Sequence, residues 1–349
     1  MAISIAPFQT ADYPELMALA SASPDTGLAH FTAEHLQPPD EANRALCVDA
    51  ELFVARVDGA LVGAADVSYG QIQYEGEVRS AALLGSLMGS LMVHPAHRRQ
   101  GVASALASHR VAAARRRLGQ DAILLADIQQ GNVGSQRTAA KWRTAESRPF
   151  ITAASPVRPS AAPEGPFTVR AATIADLDEI LVGLRAFYRE ANFYRPQSAE
   201  TLRPWIAEMG PAPPRRYFVA TERGGRVVAG LGITHLYRYL AHRVVDMPLW
   251  MQGLNLVFRE IPSGGVLREA DVGLVFHRGD GVAAAHQLWE AVRHGLGGQA
   301  NTLLFSYDPQ GPLAPLASRL RLRSGVRLQT AIFAAKSPDP ARPLAPWVL

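Results

Sequence analysis

Two arginines and a glycine stand where an apolar run gives way to an alanine-rich segment: Arg98, Arg99 and Gly101 follow Val93 and precede Val102. This order predicts a strand, a turn and a helix. The first amides of a helix have no partner within it, and its dipole adds partial positive charge there. A glycine lets the backbone approach a ligand, and arginines supply full charges. The segment therefore predicts a site for a phosphate or diphosphate.

The pattern Arg98-x-x-Gly101-x-Ala103, entered from a strand that ends at Val93, resembles the acyl-coenzyme A signature of the GNAT N-acyltransferase superfamily. In that family the loop holds the pyrophosphate of coenzyme A, and the strand before it holds the pantetheine arm. The resemblance therefore implies acetyl-CoA as the co-substrate, with no metal. The positions that it assigns to the cofactor are Leu91, Met92, Val93, Arg98, Arg99, Gln100, Gly101, Val102, Ala103, Ser104, Asn132 and Ser135.

The resemblance says less about the catalytic acid and base. Asp127 ends a predicted strand beside the expected cleft and is the first choice for the base, with Glu75 and Glu77 on a polar loop as alternatives. Family members often place a tyrosine on the helix after the fifth strand, and aligning Asn132 with the family's asparagine puts Ala139 there. Asn132 itself either binds the pantetheine or caps its helix. The candidates for the acid are water, Ser135, Tyr69 and Tyr74, unless activity is absent.

The signature recurs in the second half of the chain. Residues 277–285 match residues 97–105 at six of nine positions. Asp280 replaces Gln100 at the predicted helix start, where a carboxylate favours the helix dipole but repels a pyrophosphate. We therefore hypothesise that only the first copy binds coenzyme A strongly. An internal repeat of this kind indicates two structural units built alike.

The repeat predicts two tandem GNAT-like domains, an architecture similar to that of mycothiol synthase. We place the first domain at 1–153, a linker rich in Ala, Ser and Pro at 154–166, and the second domain, with its degenerate cofactor motif, at 167–349. If the second domain supplies groups that meet the acceptor, Glu269 and Asp271 on its fourth strand are the candidates.

The predicted fold class is α/β (α+β), with a mixed twisted sheet flanked by helices in each domain. Residues 21–48 are predicted to form a second helix with loops, and residues 70–80 a loop or the end of a long hairpin. One strand is expected to run from Leu83 or Leu84 to Val93, followed by a helix to Leu118.

Composition excludes several classes of protein. The chain has 349 residues, of which 48% are hydrophobic and 19% charged, and a single cysteine, Cys47. One cysteine excludes an internal disulfide and a cysteine-based zinc site. The absence of a long apolar run or a signal-like N-terminus leads us to expect a cytoplasmic protein that does not enter membranes. The net charge of +4 includes Arg115, Arg116 and Arg117 at a predicted helix C-terminus, so nucleic acid is an unlikely partner.

These observations lead to one expected function and one alternative. The chain is expected to be an N-acyltransferase that moves an acetyl group from acetyl-CoA to a primary amine of a small molecule or peptide, as a monomer or homodimer. The alternative is a regulatory pseudo-acetyltransferase that binds acyl-CoA without turnover. The identity of the acceptor stays open at this stage.

Overall fold

The computed structural model describes residues 2–25, 30–85, 91–158, 160–206, 213–258, 261–262, 264–323 and 325–347. The strands of the first half are β1 (Ile3–Pro7), β2 (His30–His35), β3 (Ala50–Val57), β4 (Ala60–Tyr74), β5 (Glu77–Leu83), β6 (Met92–Val93), β7 (Ile123–Gln129), β8 (Ala145–Glu146) and β9 (Phe150–Pro156). Its helices are α1 (Tyr13–Ala22), α2 (Pro39–Ala45), α3 (Val102–Leu118) and α4 (Val133–Ala139).

The second half repeats this order with additions. Its strands are β10 (Thr168–Ala171), β11 (Arg215–Thr221), β12 (Val227–Thr234), β13 (Leu240–Asp246), β14 (Val266–Leu267), β15 (Glu269–His277), β16 (Thr302–Tyr307) and β17 (Val326–Phe333). Its helices are α5 (Leu177–Phe187), α6 (Ala199–Ile206), α7 (Leu249–Phe258), α8 (Val282–Gly295) and α9 (Ala314–Ala317).

Two local predictions differ from the structure, and for the segment 70–80 one of the two predicted alternatives is confirmed. The segment 21–48 contains strand β2 as well as helix α2. The polar stretch 70–80 is the end of a long hairpin, in which β4 and β5 pair up to a turn at Glu75 and Gly76. The strand expected up to Val93 is two strands, β5 and β6, and the residues 86–90 between them lie outside the described part of the chain.

Fourteen of the described strands form one continuous sheet in which the two halves exchange their closing strands, and β14, β13 and β2 form a second, three-stranded sheet. The order of the large sheet is β1-β3-β4-β5-β7-β17-β9-β16-β15-β12-β11-β10, so that β17, from the end of the chain, lies between β7 and β9. Strand β9 pairs with β16 of the second half and continues through Pro156, three residues into the predicted linker. The division of the chain into two domains stays a prediction, because the sheet has no break between the halves.

Helices cover both faces of this sheet. On β7, Leu124, Ala126 and Ile128 pack in the core formed with α3, while Ile123 and Leu125 pack on the opposite face. This alternation is the two-residue period of a strand. Helix α1 packs on the second face with Val54 and Leu61, so we call the two sides the α3 face and the α1 face. The pairing of residues can be followed from β7 through β17 and β9 to β16. The residues of β16 that pack against α8 point to the same side of the sheet as the residues of β7 that pack against α3, so α8 lies on the α3 face.

Each half begins with a strand and a capped helical turn. In the second half, the Asp176 carboxylate accepts hydrogen bonds from the Thr173 amide at 2.7 Å and the Thr173 hydroxyl at 2.9 Å. Arg170 donates to both of its oxygens, at 2.6 and 2.8 Å. Hydrogen bonding from Arg170, helped by Thr173, lowers the pKa of Asp176 to about 2 against the opposing effect of burial. This carboxylate therefore stabilises the entry into α5.

We predict that Asp176→Asn lowers the free energy of unfolding at pH 7 by about 2 kcal/mol, the linkage value for such a depressed pKa. The contribution of a carboxylate with a depressed folded-state pKa is complete above its unfolded pKa, about 3.8, and disappears as the pH falls towards 2. Denaturant titrations at pH 7 and pH 2.5 would measure both. Glu222→Gln is the control, because Glu222 lies 3.9 Å from Arg226 in an exposed pair. Equal losses in the two variants at pH 7 would contradict the prediction.

Candidate acyl-coenzyme A site

The turn before α3 exposes backbone amides at the helix N-terminus. A single 3-10 turn, Pro95–His97, leads into extended Arg98, and Arg99 and Gly101 both have positive φ angles, +63° and +89°. Gly101 is the N-cap of α3, and no side chain among the described residues caps that end. A Cβ on Gly101 would meet nothing within 4 Å, so the space in front of these amides is open. Such a helix start attracts an anion.

Three cationic side chains lie near this helix start. Arg98 and Arg99 are exposed, and the Arg98 Nε donates to the Val93 carbonyl at 3.3 Å. Lys141, just after α4, donates from Nζ to the Ser104 hydroxyl in the first turn of α3 at 2.7 Å. Lys141 was not predicted from the sequence as part of the site, although it is one of only two lysines in the chain. Together these groups make the loop electropositive.

We predict that Lys141→Gln weakens coenzyme A binding by a factor of up to about five, as expected for the loss of one exposed charge contact. The difference should shrink at high salt, because solvent-exposed charges are screened. Calorimetric titration at low and high salt would measure it. Lys336→Gln is the matched control, since the other lysine lies 3.2 Å from Glu75. A loss as large in the control, or none in Lys141→Gln, would contradict the prediction.

A glycine on the neighbouring strand lets α3 approach the sheet. Gly63 of β4 pairs with Val93 of β6, next to the loop. A Cβ on Gly63 would lie 3.0 Å from side-chain atoms of both Val102 and Leu106. Both of these side chains are buried. The first turn of α3 is therefore fixed against the strand that leads into the phosphate loop.

Asp127 is paired with a side chain from the end of the chain. It shares the α1 face with Ile123 and Leu125, and its Oδ1 accepts a hydrogen bond from the Thr330 hydroxyl at 2.7 Å. The Asp127 side chain reaches solvent. Desolvation of the carboxyl by the surrounding protein raises its pKa to about 6 even though part of the residue is exposed, and the Thr330 hydrogen bond opposes that rise. The contact of Thr330 with Asp127 was not predicted from the sequence, because it depends on the insertion of β17 between β7 and β9.

Helix α4 begins beside the end of β7. Asn132 is its N-cap, and its Oδ1 accepts a hydrogen bond from the Ser135 amide at 3.1 Å. The capping interpretation of Asn132 is therefore confirmed. Ser135 lies half-buried in the first turn. Ala139, where the resemblance leads one to expect a tyrosine, is buried against the α3 core.

Two predicted catalytic residues have structural partners far from the loop. Tyr69 is buried on the α3 face, donates its hydroxyl to Glu51 at 3.1 Å, and lies under Arg117 at the C-terminal end of α3. Burial raises the pKa of Tyr69. The 17 residues of α3 separate this end from the loop by about 25 Å at 1.5 Å per residue. We therefore correct the assignment of Tyr69 as an acid.

Glu75 also needs correction. It lies in the β4–β5 turn, where its carboxylate accepts from the Asn192 side chain and the Asp339 amide, each at 2.9 Å, and pairs with Lys336. Burial would raise its pKa, but these partners lower it. Residues 63 and 74 of β4 are roughly 36 Å apart at 3.3 Å per residue, so the turn is remote from the loop. Tyr74, whose hydroxyl donates to the Lys336 carbonyl at 2.6 Å, lies at the same end.

The corresponding loop of the second half differs in its backbone and its arginine. Gly281, the N-cap of α8, has φ −67° rather than a positive value. The Arg278 Nη2 donates to the Glu179 carbonyl at 2.9 Å, so this arginine is held by the protein. In the cleft beside β15, the hydroxyls of Tyr217 and Tyr188 donate to the carbonyls of Leu274 and Val275, each at 2.7 Å. In the second half, tyrosine hydroxyls thus take up backbone carbonyls of β15 beside the counterpart of the cleft.

Glu269 and Asp271 are buried at the start of β15. Ala270 and Val272 pack in the α8 core, so the two carboxylates lie on the α1 face, the face that carries Asp127. The Glu269 Oε2 and the His242 Nδ1 are 2.6 Å apart. Burial raises the pKa of Asp271 to about 7, and the charge of Glu269 adds to this effect while Arg215 opposes it. These carboxylates could receive a cationic acceptor or its proton.

The described residues contain neither a metal-binding cluster nor a membrane-spanning helix. No group of three or more side chains in the described ranges is arranged to hold a metal ion. None of the helices that the structure describes is long and apolar enough to cross a membrane.

Comparison with known proteins identifies the first half of the chain. Residues 17–143 match the family described as Acetyltransferase (GNAT) family. Saccharomyces cerevisiae N-myristoyltransferase with bound myristoyl-CoA has a similar fold, with a TM-score of 0.65 and 9% identity over 100% of this chain and 86% of that chain.

A further structure of the same yeast enzyme, with myristoyl-CoA and inhibitors, has a TM-score of 0.64 and 10% identity over 97% and 83% of the two chains. No curated protein matches the chain in sequence. The phosphate loop, with Arg98, Gly101 and the start of α3, lies within the matched residues. Residues 17–143 of the chain are therefore similar in sequence to the GNAT acetyltransferase family, and the chain as a whole has a fold similar to that of N-myristoyltransferase.

Proposed function

We propose that the chain is an N-acyltransferase that moves an acetyl group from acetyl-CoA to a primary amine. The observation that carries this proposal is the uncapped start of α3, where Gly101 has a positive φ angle and Arg98, Arg99 and Lys141 lie close by. A diphosphate on these amides would direct the thioester towards β6 and β7. The groups that we propose to hold it are Leu91, Met92, Val93, Arg98, Arg99, Gln100, Gly101, Val102, Ala103 and Ser104.

The proposed reaction requires one base and one proton donor. The amine nitrogen forms a bond to the thioester carbonyl carbon, the carbon–sulfur bond breaks, and the amine loses a proton to Asp127 directly or through water. The departing thiolate takes a proton from Ser135 or from water. A carboxyl with a pKa of about 6 is ionised at neutral pH and basic enough to accept this proton. Glu269 and Asp271 lie on the same face, but β17, β9 and β16 separate their strand from β7 by about 19 Å at 4.8 Å per strand, so they would contact only the far end of an extended acceptor.

The acyl chain is the least constrained part of the proposal. The yeast structures of similar fold hold myristoyl-CoA, whereas the family matched by residues 17–143 is described by acetyl transfer. We favour acetyl because the sequence match covers the loop itself. Acetyl-CoA and myristoyl-CoA should therefore be compared directly as donors.

A second candidate function is acyl-CoA sensing without turnover. The buried Ala139, at the position where many family members carry a tyrosine acid, favours it. Thiol release from acetyl-CoA in the presence of amino acids, polyamines, aminoglycosides and peptides separates the two functions. Turnover with any amine supports the enzyme, and tight binding without turnover supports the sensor. Failure to bind either donor would exclude both.

A further inference from the structure

A cavity lies in the second half of the chain, away from the phosphate loop. Its volume is about 330 Å³, and it is enclosed by β10, β11, the turn at 235–238 and the C-terminal end of α8. This volume is near the lower limit of small-molecule sites, roughly 300–1,000 Å³. All of the residues that line it lie between 169 and 299, so it shares no residue with the loop at 98–104.

The charged side chains that line this cavity are all basic. They are Arg170, Arg216 and Arg238, and none of the described residues that line it is a carboxylate. Arg170 is held by Asp176 through two hydrogen bonds, so its charge is largely neutralised. Arg216 is exposed and forms no ion pair with any residue that the structure describes. Arg216 therefore gives the cavity positive charge, and Arg238 also lines it.

A buried histidine lies between these arginines. His235 is 3% exposed, and its Nδ1 has no hydrogen-bond partner among the described residues. Burial, together with Arg238 and Arg216, lowers its pKa to about 4, so the ring is neutral at pH 7. A buried nitrogen without a partner costs stability unless a ligand or water satisfies it. The Nδ1 of a neutral ring can donate a hydrogen bond to an anion.

The rest of the wall is apolar. Phe218 comes from β11, and Val292 and Leu296 come from the end of α8. Positive groups on one side and apolar side chains on another match a ligand with an anionic group and an apolar body. We propose that this cavity binds a small organic anion, whose carboxylate, sulfonate or phosphate is held by Arg216 and Arg238 and by the imidazole of His235.

The probe for this site is 1-anilinonaphthalene-8-sulfonate, which combines a sulfonate with an aromatic body and fluoresces when it is bound. Titration of the whole protein, in saturating coenzyme A so that the phosphate loop is occupied, should give saturable binding of one probe per chain. Arg216→Gln should weaken that binding about tenfold, the loss expected for one charge-assisted hydrogen bond. Arg226→Gln is the control, because Arg226 lies on the β11–β12 turn, 3.9 Å from Glu222, and is not among the residues that line the cavity.

Circular dichroism of each variant would verify that the fold is retained. Displacement by 1-naphthoate or by 1-naphthyl phosphate would show which kind of anion the site prefers, and displacement by either supports the proposal. Non-saturable binding, an unchanged affinity in Arg216→Gln and Arg238→Gln, or equal weakening in Arg226→Gln would overturn it. Because coenzyme A is present throughout and acyl transfer is not measured, these outcomes are independent of the proposed catalytic function.

Discussion

Gly101→Glu is expected to weaken acetyl-CoA binding by at least about 100-fold, which corresponds to 2.8 kcal/mol. The new carboxylate would stand in the open space before the first amides of α3, where it would satisfy them and repel a diphosphate. Arg98 and Arg99 would then pair with the protein's own carboxylate instead of the ligand. Isothermal titration calorimetry with acetyl-CoA and with coenzyme A would measure the loss.

The other end of the same helix provides a matched control. Gly119 is the C-cap of α3, its φ is +94°, and a Cβ there also meets nothing within 4 Å. Gly119→Glu therefore has a larger backbone cost, because φ +94° with ψ 166° is a conformation that essentially only glycine adopts, and it places no charge at the loop. We expect Gly119→Glu to lose at least as much stability as Gly101→Glu while only Gly101→Glu loses binding. An equal loss of affinity in both would disprove the site.

Asp127→Asn is expected to reduce kcat about 100-fold or more, the range for loss of a general base, with acetyl-CoA affinity unchanged. A base must be deprotonated to act, so in the native protein kcat/KM should rise as the pH passes through about 6 and level off above it. The Asn variant should lack this rise. Initial rates of thiol release from pH 5 to 9 would test both expectations.

Thr330→Val is the companion variant. The Thr330 hydroxyl donates to Asp127, and this bond lowers the carboxyl's pKa. Its removal should move the midpoint of the pH profile upward and leave the rate at high pH nearly intact. A merely structural role for Asp127 would reduce activity at all pH values without moving the midpoint. Full activity in Asp127→Asn would exclude it as the base.

Local sequence patterns were sufficient to predict the phosphate loop and most of the elements around it. The helix predicted after Gly101 ends at Leu118 in the structure, because the glycines at its ends and the three terminal arginines are signals within the segment itself. The asymmetry between the halves was predicted from Asp280. The structure adds a reason that no motif contains, since Arg278 is bound to the Glu179 carbonyl.

Contacts between distant segments explain what the sequence did not predict. The pairing of β7 with β17 joins residues about 200 positions apart, and no local pattern specifies it. For that reason Thr330 was missed, and Glu75 was judged without its partners at 192 and 336–339. Tyr69 was misassigned because its position in the chain does not show which end of α3 it meets. Lys141 was missed because its partner, Ser104, lies on another helix.

The exchange of closing strands has a consequence for synthesis on the ribosome. The edge of β7 cannot pair with β17 until Val326 has been synthesised and has emerged. At a synthesis rate of 5–20 residues per second, this delay is roughly 10–40 s for about 200 residues. During this interval the nascent first half presents an unpaired apolar edge, the kind of surface that invites intermolecular pairing. Neither half can complete its part of the sheet alone, so the emergence of β17, and not that of the first half, is the event that closes the sheet.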